Sequence, residues 1–315
     1  MRIHVVRIPT PFPVGPVNAI LVVEDPITLI DTGPKTSEAL EALRSQIEAL
    51  GLRLGDIKRI VLTHAHLDHA GQAERLRQLT GATVYAHPWE AERLGQVPDA
   101  SRDPTLFAAL GVPPRIVEEF NVVWDYLNTM VDPISELPAL DDGDELAFER
   151  GSLAIVHTPG HTPGHICLFH RAQRTLIAAD TVLKRITPNP ILNRDPRQPA
   201  RRFPSLAAFL RSLDRLRHLA PALVYTGHGE EVDDYEAYYQ TIVKHARQRQ
   251  RELIQLMGDG AMTAWELSLR LFPQAGSQQR FLALSETIAH LDWAVGEGTV
   301  VCEKRNGVEY FWRRA

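Results

Sequence analysis

An α/β sandwich of four layers (αββα), two helical layers enclosing two β-sheets, is the architecture this sequence predicts, with a small helical segment appended. Three observations carry it. Strand-like and helical stretches alternate along the first third of the chain. After an interruption, the second third returns to the same arrangement. In each half, histidines sit in a loop directly after an apolar strand. Two such half-sets pack most simply as two sheets face to face, with helices outside and the histidine loops meeting at the sheets' edges.

The elements follow in order. Ile3 to Ile8, Asn18 to Val23 and Ile27 to Ile30 are β-rich runs separated by Pro and Gly, so they should pair as antiparallel neighbours. Thr36 to Leu50 has helical periodicity, with Gly51 as its stop. A buried strand, Arg59 to Leu62, a helix from about Asp68 to Leu79 and a short strand, Thr83 to Ala86, complete the first half. Residues 88–140 break the alternation. Pro98, Pro104, Pro113, Pro114, Pro133 and Pro138 punctuate short apolar pieces there, which reads as inserted helices forming a lid or substrate wall. Strands resume at Glu145 to Phe148, Leu153 to His157, His165 to Phe169 and Thr175 to Ala178, followed by a helix, Ser205 to Leu219, and a strand, Leu223 to Thr226. From Tyr235 a long amphipathic helix runs to about Met257. Thr263 and Glu266 form a capping-box pattern for a second helix, and Ser277 is placed to cap a third. Asn306-Gly307 between two β-rich runs marks a hairpin. The division expected is a catalytic unit over residues 1–235 and a winged-helix-like unit over residues 236–315.

With 315 residues, 44% of them hydrophobic, the chain can bury a large core. A net charge of -5 excludes a generally polyanion-binding surface. Two cysteines are too few for a disulfide framework or a cysteine zinc site. No basic-then-apolar leader and no run of membrane-spanning length are visible, so the expectation is a cytoplasmic enzyme that needs no membrane.

The chemistry is concentrated in Thr63-His64-Ala65-His66-Leu67-Asp68-His69. Three imidazoles and a carboxylate within six positions are all groups that bind divalent metal when deprotonated. His64 and His66, two apart on extended backbone, point the same way, while Asp68 and His69 fall where the chain turns into a helix. Further ligand types sit in similar settings. His161 lies in the tight turn Thr158-Pro159-Gly160-His161-Thr162-Pro163-Gly164-His165, Asp180 ends an apolar strand, and His228 follows Thr226-Gly227. An Asp ending an apolar strand is costly unless paired or coordinated. Together these are seven ligands, enough for two adjacent metals bridged by a carboxylate.

On His64-Ala65-His66-Leu67-Asp68-His69, His161, Asp180, His228 and Ile30-Asp31-Thr32-Gly33, residues 1 to about 235 resemble the metallo-β-lactamase superfamily, specifically its glyoxalase II-like hydrolase branch. The resemblance implies that fold, with His64, His66 and His161 holding one metal, Asp68, His69 and His228 the other, and Asp180 bridging. Asp31 would support the ligand loops from behind, His165 would make a structural hydrogen bond in its turn, and His157 would serve packing. The zinc β-lactamases that the chain resembles lack the bridging Asp and commonly place a Cys among their second-site ligands. Neither Cys167 nor Cys302 matches that position, which argues against antibiotic hydrolysis.

The expected reaction is hydrolysis by a metal-bridging hydroxide, with Asp68 orienting it and two divalent ions as cofactors, zinc first and manganese or iron as alternatives. Residues 184–217 hold nine Lys/Arg against two acids. They would favour a small anionic substrate such as a phosphate ester or thioester, with Lys184, Arg185 and Arg194 as candidate contacts. Alternatives are single-strand endoribonuclease activity, a mononuclear-iron persulfide dioxygenase, and a nucleic-acid-binding regulator. Nucleic acid is less favoured because Arg280 is the only firm cation on the last predicted helix, where packing, or assembly of a homodimer, suits the residues better.

Overall fold

The computed structural model describes residues 1–95, 103–258 and 260–314, with the backbone alone at Gln278. Pro98, assigned to the insertion, lies outside them.

The first sheet has the order β1-β2-β3-β4-β5, from Ile3–Ile8, Val17–Val22, Thr28–Ile30, Arg59–Val61 and Thr83–Tyr85. β1, β2 and β3 pair antiparallel; β4 and β5 add in parallel through helical crossovers. The second sheet has the order β12-β9-β8-β7-β6, from Leu223–Thr226, Thr175–Ala179, Ile166–His170, Ser152–His157 and Glu145–Ala147. A separate two-stranded ribbon pairs β10 (Arg194–Asp195) with β11 (Gln198–Arg202). Alternate residues of one strand serve two layers. On β2, Ala19 and Leu21 pack outward with Leu43 and Ile47 of α1 (Ser37–Ala49) and Leu76 of α3 (Ala73–Thr80). Ile20 and Val22 point the other way, into a core shared with Leu153, Ile155, Ile166, Leu168 and Ile177 of the second sheet. The outer face of that sheet is closed by Leu206, Phe209 and Leu213 of α7 (Ser205–His218) and Tyr235, Tyr238 and Ile242 of α8 (Tyr235–Leu256). The result is the four-layer αββα sandwich.

The single helix expected from about Asp68 to Leu79 is two, α2 (Leu67–Ala70) and α3. The break falls at Gly71 and Gln72. The Gln72 N–H donates to the Gly33 carbonyl at 3.1 Å, and a Cβ on Gly71 would lie 2.5 Å from the Met130 carbonyl oxygen. Tertiary hydrogen bonding replaces helix continuity there.

The inserted helices α4 (Pro88–Leu94), α5 (Pro104–Ala109) and α6 (Pro114–Leu127) each begin on proline. A first-turn N–H has no helical partner, so proline costs nothing at that position. Phe107 and Phe120 of this insertion pack with Trp265 of α9 (Ala264–Leu271), Leu284, Ile288 and Leu291 of α10 (Ser277–Gly296) and Phe311 of β14 (Val308–Arg313). One core therefore joins the insertion to the segment beyond residue 235. Thr263 and Glu266 form the expected capping box. Ser277 is instead the first helical residue, with extended Gly276 at the cap. Asn306 and Gly307 both have positive φ, as a tight hairpin turn between β13 (Val300–Arg305) and β14 requires. Among the described residues no helix is long and apolar enough to cross a membrane.

α8 and α10 meet at a buried polar contact, His290 Nδ1 lying 2.8 Å from the Gln250 amide. Burial, followed by the charges of Arg249 and His245, pushes the His290 pKa from 6.5 down to about 3. The unfolded chain binds this proton below pH 6.5 and the folded chain does not until about pH 3, so the stability it confers is full above pH 6.5 and falls with falling pH. In metal-free protein, His290→Gln should flatten the loss of stability between pH 6.5 and 4 by up to about 1.4 kcal/mol per pH unit. Urea midpoints measured at pH 7 and pH 5 check this; the same drop in variant and parent would refute it.

Candidate metal centre

The sheets meet edge to edge where the ligand-type loops emerge. The Ile166 N–H donates to the Thr63 carbonyl at 3.0 Å, and the Asn18 N–H to the Gly227 carbonyl at 2.7 Å. These bonds bring the ends of β4, β7, β9 and β12 together, and His64, His66, His69, His161, Asp180 and His228 with them.

Three overlapping groups of donor atoms result among the described residues: two at the ends, and a third, His64, His69 and Asp180, that spans them. His66 Nδ1 lies 2.9 Å from both His64 Nε2 and His161 Nε2. One ring nitrogen cannot satisfy two others with a single proton or lone pair, so this triangle is a poor hydrogen-bond network and a fitting ligand set. In the second group, His228 Nε2 is 3.4 Å from Asp68 Oδ2, with His69 beside them. Asp180 stands between the groups. Its Oδ1 is 3.3 Å from His69 Nε2 and 3.7 Å from His228 Nε2, and its Oδ2 is 3.5 Å from His161 Nε2. Yet His69 Nε2, His228 Nε2 and Asp180 Oδ1 are all buried without a hydrogen-bond partner. Buried polar atoms are rarely left so, and three converging on one point is what an ion would satisfy.

Acceptors behind the rings fix which nitrogen faces inward. Nδ1–H of His161 donates to the Asn189 carbonyl at 2.8 Å, that of His228 to the Pro16 carbonyl at 2.9 Å, and that of His69 to Asp31 Oδ2 at 2.7 Å. The Thr63 hydroxyl donates to Asp31 at 2.8 Å, so its oxygen accepts Nδ1–H of His64 at 3.0 Å. Four imidazoles thus aim Nε2 into the cluster. Asp31 does double duty, because its Oδ1 also accepts the Thr63 N–H at 2.8 Å. It adopts φ 60°, and Ala179, just before Asp180, φ 41°. Left-handed backbone at two non-glycine residues is strain concentrated at the site.

Electrostatics separates the two groups. Burial foremost, then neighbouring imidazoles, hold His64 well below the usual histidine range, and burial does the same to His66 and, less strongly, His161. Neutral imidazole is the ligating form. At His69, burial is outweighed by the Asp180 and Asp31 carboxylates, which hold its pKa well above the ordinary value. Burial of Asp180 is likewise outweighed, chiefly by His69 and His228, leaving its carboxyl far below the usual range.

The remaining candidates sort by contact. His165 accepts or donates at Nδ1 to the Thr158 and Thr181 hydroxyls, both at 3.1 Å, and His157 stacks on His87 with ring centroids 4.2 Å apart. Lys184 and Arg185 pair with Glu230, two residues beyond His228. Arg194 does not reach the cluster's ligands. It is drawn to Asp103 at the start of α5 and bonds the Thr105 hydroxyl at 3.0 Å, so its charge is spent on holding the insertion. Arg202 likewise binds Asp292 and Glu309. Glu90, which no motif marked, is fully buried against the ligand loops. Asn189 was also missed. It acts through its main-chain carbonyl, which has no residue-type signature.

Residues 12–228 match the family model described as the metallo-beta-lactamase superfamily. The chain is 31% identical to "Probable metallo-hydrolase YqjP" of Bacillus subtilis, over 97% of this chain and 96% of that one. A crystal structure of a metallo-beta-lactamase family protein from Thermus thermophilus superimposes with a TM-score of 0.85 at 32% identity, covering 99% of this chain and 98% of the other. A beta-lactamase domain protein from Burkholderia ambifaria shares the fold, with a TM-score of 0.81 at 24% identity over 99% of this chain and 91% of that chain. A sandwich of this topology, a His/Asp cluster able to hold metal at its edge and relatives matched along nearly their whole length agree, and the chain belongs to the metallo-beta-lactamase superfamily of metal-dependent hydrolases.

Proposed function

We propose that the chain is a dinuclear metal-dependent hydrolase of the glyoxalase II-like kind, acting on an anionic ester, thioester or phosphoester. The observation that carries this is Asp180, whose two oxygens face different donor groups: Oδ2 toward His161 and Oδ1 toward His69 and His228. In this reading His64, His66 and His161 hold one ion, and Asp68, His69 and His228 the other. Bound divalent ions supply hydroxide near neutral pH and polarise the scissile carbonyl or phosphoryl oxygen.

The chain's own residues do the rest. Asp31, Thr63, Pro16 and Asn189 hold the rings with Nε2 inward, so the ligand set is organised before anything binds. In the same reading Asp68, besides holding an ion with His228, is the carboxylate that would accept a hydrogen bond from an attacking water. Lys184 and Arg185 are exposed beside the loop after His228, but they pair with Glu230. Exposed Glu231, Asp233 and Asp234 follow on the same loop, so the edge is not net positive and the anionic substrate class rests on the resemblance.

Metal analysis of the purified protein, with hydrolysis of a thioester, a phosphodiester and single-stranded RNA, tests this. Two equivalents of zinc or manganese per chain and turnover of the thioester or phosphodiester are expected. A single equivalent of iron, or cleavage of RNA alone, would overturn the reading.

A further inference from the structure

The insertion reaches the centre at one residue. Glu90 of α4 is 0% exposed, and its two oxygens go to different loops. Oε2 accepts the Ala65 N–H at 2.9 Å, between His64 and His66. Oε1 accepts the Gly164 N–H at 2.8 Å, in the turn that carries His161. The second contact leaves no slack, since a Cβ on Gly164 would lie 2.8 Å from Glu90 Cγ and 2.9 Å from Oε1. Arg93, one turn along α4, places Nη1 3.9 Å from Oε2 and 3.3 Å from Asn193 Oδ1.

We propose that Glu90 is a positioning residue that sets the spacing between the two loops bearing His64, His66 and His161, and through it the ion affinity of that three-histidine group. The proposal rests on reading those histidines as a metal site. His64 and His66 follow β4 of the first sheet and His161 follows β7 of the second, so their spacing depends on what spans the two sheets. A carboxylate can span them because both of its oxygens accept. The isosteric amide cannot, since one end of it would present N–H to a backbone N–H. Ligands held 1 Å too loosely bind poorly, and removing an outer partner typically weakens metal affinity roughly 10–100-fold. The Asp68, His69 and His228 group has other supports, Asp31 and the Pro16 carbonyl, so it should not feel Glu90. That asymmetry distinguishes positioning from general stabilisation.

The test is calorimetric titration of the metal-free protein with cobalt(II), followed also by the visible absorption of the bound ion. The parent protein should take up two equivalents. In Glu90→Gln one event should weaken roughly 10–100-fold, with an altered spectrum, while the other keeps its affinity. The weakened event should be the one that His161→Ala abolishes and His228→Ala leaves. Gly164→Ala, which forces the same contact apart from the opposite side, should weaken the same event and serves if Glu90→Gln does not fold. Two events of unchanged affinity in both variants would overturn the proposal. So would equal weakening of both events, which is the mark of general destabilisation. A parent protein that binds no cobalt would overturn the metal-site reading itself, and the proposal with it.

Discussion

Asp180→Ala is expected to lower kcat/KM by about 10³-fold or more and to strip metal from both donor groups. On the dinuclear reading, removing this carboxylate forfeits several kcal/mol of transition-state stabilisation, and each 1.36 kcal/mol is tenfold in rate. The geometry makes the loss general, because Asp180 faces His161 on one side and His69 and His228 on the other. It also removes one of the two carboxylates, Asp180 and Asp31, that hold the His69 pKa well above its ordinary value. Elemental analysis and steady-state rates on the best substrate of the panel check this, with a circular dichroism spectrum to show that the fold persists. A variant that keeps two equivalents of metal and a rate within tenfold of the parent would show that Asp180 is not shared.

The site was legible in sequence to the extent that its chemistry resides in side-chain type and local spacing. His64, His66, Asp68 and His69 fall within six positions. His161, Asp180 and His228 each follow an apolar strand, so a strand-and-loop reading gathers them at one edge. The support behind them was legible only in part. Asp31 was marked by its motif, but Pro16 and Asn189 contribute carbonyls, and every residue has one. Glu90 is one of two acids on a short helix, and nothing in its neighbourhood in sequence announces complete burial. The basic segment shows the converse error. Counting Lys184 to Arg217 finds an excess of positive charge, but the acids that neutralise much of it are distant in sequence: Asp103 for Arg194, Asp292 and Glu309 for Arg202, Asp142 for Arg215. Charge excess within a segment does not measure the field at a site when the partners arrive from other elements. The fold read well for a related reason. Burial on both faces makes a strand apolar along its length, as in β2, β8 and β9, and an apolar run is a local property.

Gly227→Ala is expected to lose nearly as much activity as Asp180→Ala, about 10²- to 10³-fold, although it removes no ligand and no charge. A methyl group there would sit 2.0 Å from Asp180 Oδ1 and 2.9 Å from the Ala179 carbonyl carbon. Gly227 cannot back away. Its N–H donates to the Ala179 carbonyl at 2.8 Å and its own carbonyl accepts the Asn18 N–H at 2.7 Å. The carboxylate must therefore rotate, taking Oδ1 away from both His69 and His228. Gly227 is not among the residues with left-handed φ, so the penalty is steric contact and not backbone strain. Gly229 provides the opposite case two residues on. Its φ is 76°, but a Cβ there meets nothing within 4 Å. Gly229→Ala should thus cost about 1 kcal/mol of stability and leave metal content intact. Measuring metal content and kcat/KM for the pair separates the effects: loss in the first variant alone places the constraint at the Asp180 contact. Wild-type metal content in Gly227→Ala would mean that the loop can yield and that the glycine is not what holds Asp180 between the two groups.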